Sequence, residues 1–394
     1  MNMYIMNTYL DEKGAQQEGY RDKLKSLLTG KSTKIRVTKK KRPAEEKIDK
    51  ADKPDKADKE EEPDKEDETS TIKVKGRLNE RLAEIFDELS AFMVKRGESF
   101  KSRAYAKAQE SIVMYPNDIT HENYKELIAL PGIGNTIIQK IGEYIQTGTL
   151  RLLEKERADP QNIFADVYGI GPKKASELVG KGLKTIDELK TQQAELLNAV
   201  QKVGLKYYDD ILQRIPRSEI DEFHSVFSKT FENVKDADSK YEIVGSYRRN
   251  AMTSGDIDVI ITSTDKDVFK RFIDSLLKQD IILEILSRGA TKSLVIAKLP
   301  GKPHARRVDF LYTSPEEYPF AVLYFTGSKI FNTVMRGRAL SLGYSLNEHG
   351  LYQMDGKQKG EKVDQMFSTE EDIFKFLQMK YKEPFDRKTG QSVI

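Results

Sequence analysis

Two aspartates one residue apart, in Gly255-Asp256-Ile257-Asp258-Val259, and a third acid in Arg307-Val308-Asp309-Phe310 are the side chains here best suited to chemistry. Apolar alternation from Ile257 to Thr262 and from Arg307 to Tyr312 predicts two strands. Strand side chains alternate, so Asp256 and Asp258 are expected on one face, where two like charges cost free energy unless a cation neutralises them. If the strand of Asp309 neighbours the first, all three acids converge. That is the geometry of two-metal phosphoryl transfer, in which one ion activates a hydroxyl and the other holds a triphosphate, the two roughly 3.5 to 4 Å apart. Asp-x-Asp by itself fits a solvent-facing strand equally well. The upstream Gly245-Ser246 and the basic pair Arg248-Arg249 favour the chemical reading. A turn there can offer backbone N–H and hydroxyl groups to a triphosphate, and Arg249 can neutralise its outer oxygens.

Composition narrows the metal. The chain of 394 residues has no cysteine and four histidines, which excludes disulfides, thiolate metal sites and a cysteine nucleophile. Carboxylates then select a hard cation, with Mg²⁺ expected and Mn²⁺ as a substitute. The balance of 66 Lys+Arg against 63 Asp+Glu leaves a net charge of +3, too small to announce a polyanion partner. No run approaches the roughly 18 apolar residues of a membrane span, and the interrupted opening Met1 to Leu10 reads poorly as a secretory signal.

The length predicts two or three compact units plus an extension. Residues 1–75 read as a disordered charged tail, dominated from Pro43 to Thr69 by Lys, Asp, Glu, Ala and Pro. Its basic cluster Lys39 to Arg42 fits either a nuclear import signal or a plain basic patch. From Leu78, apolar residues at helical spacing (Leu82, Ile85, Phe86, Leu89, Phe92) open a region with almost no strand signal that continues to about 215. Past Ser218 the pattern is mixed, with strands expected at Tyr241 to Gly245, Ile257 to Thr262, Leu294 to Leu299 and Arg307 to Tyr312.

Within the helical region, Leu130-Pro131-Gly132-Ile133-Gly134 and Tyr168-Gly169-Ile170-Gly171-Pro172 share a Gly-Ile-Gly core. Glycines in a tight turn before a helix can aim backbone N–H groups at a phosphate oxygen, a contact that ignores base sequence. One such turn is weak evidence, and two in one region point to DNA. Lys140, flanked by Ile138 and Ile141, could be desolvated enough to attack an aldehyde, although an ordinary phosphate-contacting lysine fits the residues better. Tyr324-Phe325-Thr326-Gly327-Ser328 reads as a turn leading into an amphipathic helix that carries Asn332 and Arg336.

Together these strings resemble the family X DNA polymerases, from about residue 78 to Tyr381-Lys382-Glu383-Pro384-Phe385-Asp386-Arg387. The resemblance implies an α+β multidomain chain. Its parts would be a helical 5′-phosphate and lyase domain over 76–153, a helical DNA-binding domain over 154–216, a nucleotidyltransferase palm over 217–318 and a selectivity subdomain over 319–394. It implies a DNA-directed polymerase filling short repair gaps from dNTP, with Asp256, Asp258 and Asp309 on the metals. Arg214, Ser246, Arg249, Gly255, Tyr324, Phe325, Gly327 and Asn332 would bind the nucleotide. Lys101, Tyr105, Gly132, Gly134, Gly169, Gly171, Lys292, Arg307 and Arg336 would bind DNA. Carbonyls of Leu130 and Ile133, and of Val167 and Ile170, would each hold Na⁺ or K⁺. Lys140 matches the Schiff-base lysine of a 5′-deoxyribose-phosphate lyase.

The sequence departs from the family pattern at Phe100 (usually histidine), Thr136 and Thr333 (lysine), Lys329 (acidic) and Leu311 (arginine), while Glu348 is kept. A monomer acting on gapped or nicked duplex is expected, in the nucleus or, if virus-encoded, where viral DNA is replicated or repaired, with any repair-protein partner met through the tail. No BRCT pattern is present in the tail.

Overall fold

The computed structural model describes residues 77–356 and 358–387. The expectations for the tail and its basic cluster lie outside those residues.

Helices come first. α1 (Asn79–Lys95) and α2 (Ser99–Met114) pack as an antiparallel pair because Leu82, Ile85, Phe86, Leu89, Ala108 and Ile112 are buried between them. α2 stops one residue before Tyr115, whose extended backbone is what a following Pro116 requires. A 3₁₀ turn (Tyr124–Ala129) leads through the first glycine hairpin into α3 (Asn135–Thr147), then α4 (Arg151–Ala158) and α5 (Pro160–Phe164). The second hairpin opens α6 (Pro172–Gly180), followed by α7 (Ile186–Leu196), α8 (Ala199–Lys206) and α9 (Tyr208–Leu212). Thr185 and Asn198 cap α7 and α8 with reciprocal capping boxes. No strand interrupts the described residues before Ile215.

The chain then turns mixed: β1 (Ile215–Pro216), α10 (Arg217–Glu232), β2 (Lys240–Ile243), the one-turn α11 (Gly245–Arg248), β3 (Thr253–Ser254), β4 (Ile257–Thr262), α12 (Asp267–Lys278), β5 (Ile282–Arg288), β6 (Lys292–Ala297) and β7 (Arg306–Thr313). Five of these strands form one sheet in the order β2-β4-β7-β6-β5, with β4 and β7 parallel and the other neighbours antiparallel. Val259, Ile261, Val308 and Phe310 point to one face and pack beneath Phe223 and Phe227 of α10 and Phe272 of α12. By alternation, Asp258, Ile260, Arg307 and Asp309 point to the other. Ile260 meets Ala321 and Val322 of α13 (Tyr318–Thr326) there.

α14 (Lys329–Ser341), the meander β8 (Tyr344–Asn347), β9 (Gly350–Asp355) and β10 (Gln358–Lys362), and α15 (Glu370–Phe376) complete the described chain. Phe331 and Phe374 of this last part share one buried cluster with Leu82 and Phe86 of α1, so the two ends of the described chain meet.

Two expectations need correction, and some strands were not expected at all. Asp256 is not in a strand: β4 begins at Ile257, after the short β1–β3 ladder has fixed the preceding turn. Tyr324, Phe325 and Thr326 are the last turn of α13 rather than a free turn, and only Gly327-Ser328, joined by a cis peptide bond, links it to α14. The sequence reading also passed over the short β1 and β3, the meander β8–β10, and β5, whose Ile282, Leu283, Ile285 and Leu286 form an apolar run without strand periodicity.

Candidate active site

Parallel pairing of β4 with β7 sets Asp258 directly beside Asp309 in register. Both carboxylates are on the face away from α10 and α12, with Asp309 only 6% exposed. Burial raises the pKa of Asp258, and the neighbouring Asp309 raises it further, against Lys292 and Arg249. Asp309 is raised by its own burial and is opposed by Arg307 and Lys292. One Asp309 oxygen, Oδ1, is buried without a hydrogen-bond donor.

Asp256, just before the strand, is held differently. Arg307 donates from Nη2 to Asp256 Oδ2 and keeps Nε 3.5 Å from Asp309 Oδ1. Its guanidinium therefore lies between the acid that precedes β4 and the acid on β7. Among the described residues, no three acidic or histidine side chains are arranged to hold a metal ion. The expected cage is thus a facing pair plus a third acid joined to it through Arg307, a positioning role that the sequence reading had not given this arginine.

The donor set nonetheless fits a hard divalent cation. Two adjacent carboxylates stay raised in pKa by burial despite Lys292, Arg249 and Arg307 nearby, and with an undonated carboxylate oxygen they leave negative charge that a +2 ion would neutralise.

Above the pair, the Gly245 turn is built for close approach. Gly245 has φ +65°, and a Cβ there would sit 2.8 Å from Asp258 Oδ2. Only glycine satisfies both demands. Ser246 donates from Oγ to Ser254 Oγ at 2.7 Å, tying the turn to β3. Arg249 donates to the Thr326 carbonyl at the end of α13, and burial pulls its guanidinium below the usual range, with Asp258 pulling the other way. Arg214 grips the neighbouring turn through Thr253, from Nε to Oγ1 at 3.1 Å and from Nη2 to the carbonyl at 2.6 Å. Its Nη1 lies 3.6 Å from where a Cβ on Gly255 would be.

Asn332 donates from Nδ2 to the Tyr324 carbonyl at 2.7 Å, which fixes the α13–α14 link beside Gly327. Tyr324 and Phe325 meet edge to face at 5.2 Å. Lys292 starts β6 opposite Leu311 and is half-buried; burial lowers its pKa while Asp309 and Asp258 raise it. Arg336 is half-buried on α14.

The two hairpins have the same local geometry. Ile133 N–H donates to the Leu130 carbonyl at 3.3 Å, and Ile170 N–H to the Val167 carbonyl at 3.0 Å. Gly132 and Gly169 take φ +78° and +84°, and Gly134 and Gly171 cap the helices that follow. Away from the carboxylates, Lys140 is half-buried on α3. Lys101 is exposed and pairs with Glu98 at 2.5 Å, and Tyr105 packs on Phe86 at 6.1 Å, its hydroxyl raised in pKa by burial. Phe100 is 82% exposed at the start of α2.

Beyond its place in the basic pair, sequence reasoning gave Arg248 no role. Instead Arg248 bonds Glu242, Glu370 at 2.8 Å and Thr326 Oγ1 at 2.9 Å, and Glu370 also accepts from the fully buried Arg387 at 2.6 Å. Its adjacency to Arg249 was the only sequence signal, since Thr326 and Glu370 are far along the chain and nothing in the sequence joins them to it.

Four family models match the chain: a helix-hairpin-helix domain over 77–150, the fingers domain of DNA polymerase lambda over 162–212, the DNA polymerase beta palm over 214–315 and the DNA polymerase beta thumb over 321–388. DNA polymerase lambda of Arabidopsis thaliana is 33% identical over 335 residues, 79% of this chain and 62% of its own length. DNA polymerase lambda of Rattus norvegicus is 30% identical over 329 residues, 78% of this chain and 56% of its own length. DNA nucleotidylexotransferase of Xenopus laevis is 28% identical over 363 residues, 81% of this chain and 69% of its own length. The chain thus spans about three fifths of the two lambda relatives. With helix-hairpin-helix, fingers, palm and thumb matches in that order along it, the chain belongs to the family X DNA polymerases.

Proposed function

We propose that this chain is a DNA-directed DNA polymerase that fills short gaps in repair. The observation that carries the reading is the register pair of half-buried Asp258 and buried Asp309 beneath the Gly245 turn, inside the region matched as a polymerase beta palm. Asp256, Asp258 and Asp309 would hold Mg²⁺, with Mn²⁺ as substitute; when bound, the ions neutralise the attacking and leaving oxygens of phosphoryl transfer. The protein's own part is to bind and orient. Gly245, Ser246 and Arg249 present a turn and a guanidinium to the triphosphate, with Arg214 and Gly255 at its far edge. Tyr324, Phe325, Gly327 and Asn332 bound the sugar and base, and Arg336 and Lys292 lie toward the DNA. An ion held by Asp256 would compete with the Arg307 guanidinium for the same carboxylate oxygen.

The twin hairpins give this enzyme a sequence-independent grip on gapped or nicked duplex through phosphate, with Na⁺ or K⁺ on the carbonyls of Leu130, Ile133, Val167 and Ile170. On the N-terminal helices, Lys140 acts as the Schiff-base lysine of a 5′-deoxyribose-phosphate lyase, with Lys101 and Tyr105 at the phosphate. The polymerase reading places the protein with nuclear DNA or, if virus-encoded, at viral DNA. No described helix is long and apolar enough to cross a membrane.

Asp309→Ala tests the polymerase reading on a gapped duplex. Insertion is expected to fall by at least about 10³-fold, or about 4 kcal/mol of transition-state stabilisation, with DNA affinity by fluorescence anisotropy unchanged. Retained insertion removes the three-carboxylate assignment. Similarity to a nucleotidylexotransferase supports a second reading, extension without a template. Gapped duplex and single-stranded primer compared side by side decide between them: the polymerase reading requires a strong preference for the gap and for the templated nucleotide.

A further inference from the structure

The carboxylates are on one face of β7, and the opposite face of the same strand holds an unusual partner for a core. Arg306, the first residue of β7, is 4% exposed and Glu219 of α10 is 8% exposed. They form a two-pronged ion pair, Nε to Oε1 at 2.7 Å and Nη2 to Oε2 at 2.8 Å. Two charges so deeply buried are costly to desolvate, and an apolar pair of similar volume would stabilise the fold at least as well. Stability alone does not account for the pair.

Its position in the chain does. Arg306 Nη1 also reaches the Gln213 carbonyl at 3.5 Å, so one guanidinium holds both ends of the segment 213–219. That segment in turn fixes the turn that carries Asp256. Ile215 pairs with Ser254, Arg217 N–H donates to the Met252 carbonyl at 2.9 Å, and Arg214 holds Thr253. The strand of Asp309 and the turn of Asp256 are therefore clamped to the same short segment, one by the ion pair and the other by the β1–β3 ladder.

We propose that Glu219 and Arg306 are positioning residues that set the separation of Asp256 from the Asp258–Asp309 pair, and with it the fit of the divalent ions. The inference rests on the carboxylate reading above. The guanidinium's rigid fork fixes the pitch of β7 at its entry, and an apolar side chain, free to slide, would not.

The test replaces both with apolar residues of similar volume, Glu219→Met together with Arg306→Met. The double variant is expected to keep its thermal midpoint, as buried ion pairs exchanged for packed side chains commonly do, and to bind gapped DNA as the parent does. Its single-turnover insertion rate should fall roughly 10- to 100-fold, with KM for dNTP little changed, and its affinity for Mn²⁺, read by electron paramagnetic resonance without DNA, should drop severalfold. A folded double variant with parental insertion rate and parental Mn²⁺ affinity overturns the proposal. If the double variant does not fold, the isosteric Glu219→Gln is measured, with rates scaled to the folded fraction: parental values after scaling overturn the proposal, and a residual loss of rate and Mn²⁺ affinity supports it. Asp309→Ala run in parallel separates the two claims. Insertion retained there sinks the carboxylate reading itself, whereas insertion lost there and kept in the positioning variants sinks only the positioning role.

Discussion

Asp258 bears an electrostatic cost that a proton or a bound cation relieves. Its folded pKa is raised by burial and by Asp309, so without metal the stability it contributes is full below the ordinary carboxylate value near 3.9 and is lost as pH rises toward the raised value. In EDTA the thermal midpoint should therefore fall between about pH 5 and about pH 7.5, less so in Asp258→Asn, and Mg²⁺ should reverse the fall. Identical slopes for the two proteins would show that Asp258 is not strained by charge. The second residue with chemistry of its own is Lys140. Lys140→Ala should abolish borohydride trapping on a 5′-deoxyribose phosphate and leave gap filling intact, since α3 is remote in the chain from the palm strands. Trapping that survives would move the nucleophile elsewhere.

At the scale of elements, the second hairpin depends on a helix that could not tolerate a side chain. A Cβ on Gly204 of α8 would overlap the Tyr168 carbonyl oxygen, and Gln201 of the same helix donates to the Gly169 carbonyl at 3.0 Å. The helix thus presses against the back of the turn and fixes the positive φ of Gly169. Gly204→Ala should cost about 1 to 3 kcal/mol through overpacking, measured by urea unfolding, and should weaken binding to gapped DNA more than to single-stranded DNA. Equal stability and binding would mean that the hairpin is held by its own residues alone.

Across the whole molecule, the palm is joined to the C-terminal subdomain through Glu370, which accepts from Arg248 of the Gly245 turn and from the fully buried Arg387. Removing a shared acceptor leaves a buried cation uncompensated. Glu370→Ala is expected to cost about 3 to 5 kcal/mol in unfolding free energy, while Glu370→Gln, which keeps one acceptor, costs less. A loss below about 1 kcal/mol, the worth of an exposed ion pair, would show the network to be peripheral. At the far end of the subdomain, Lys329 of α14 pairs with Asp87 of α1, so the sequence's departure at Lys329 has a partner of its own in the N-terminal helices.

Local rules made the helical region readable: hydrophobic spacing located α1, and paired glycines marked both hairpins, because each signal acts within a few residues. Asp258 and Asp309 were legible for the same reason, as isolated acids on short apolar strands. Their adjacency was not, since a parallel pairing between β4 and β7 depends on a crossover of dozens of residues. The sequence likewise left open what Arg248, Glu219 and Arg306 do, and gave no sign that Arg307 joins two of the acids. A charged side chain looks alike on the surface and in the core, and only the tertiary fold decides whether its counter-charge, drawn from a distant segment, arrives in time to let it be buried.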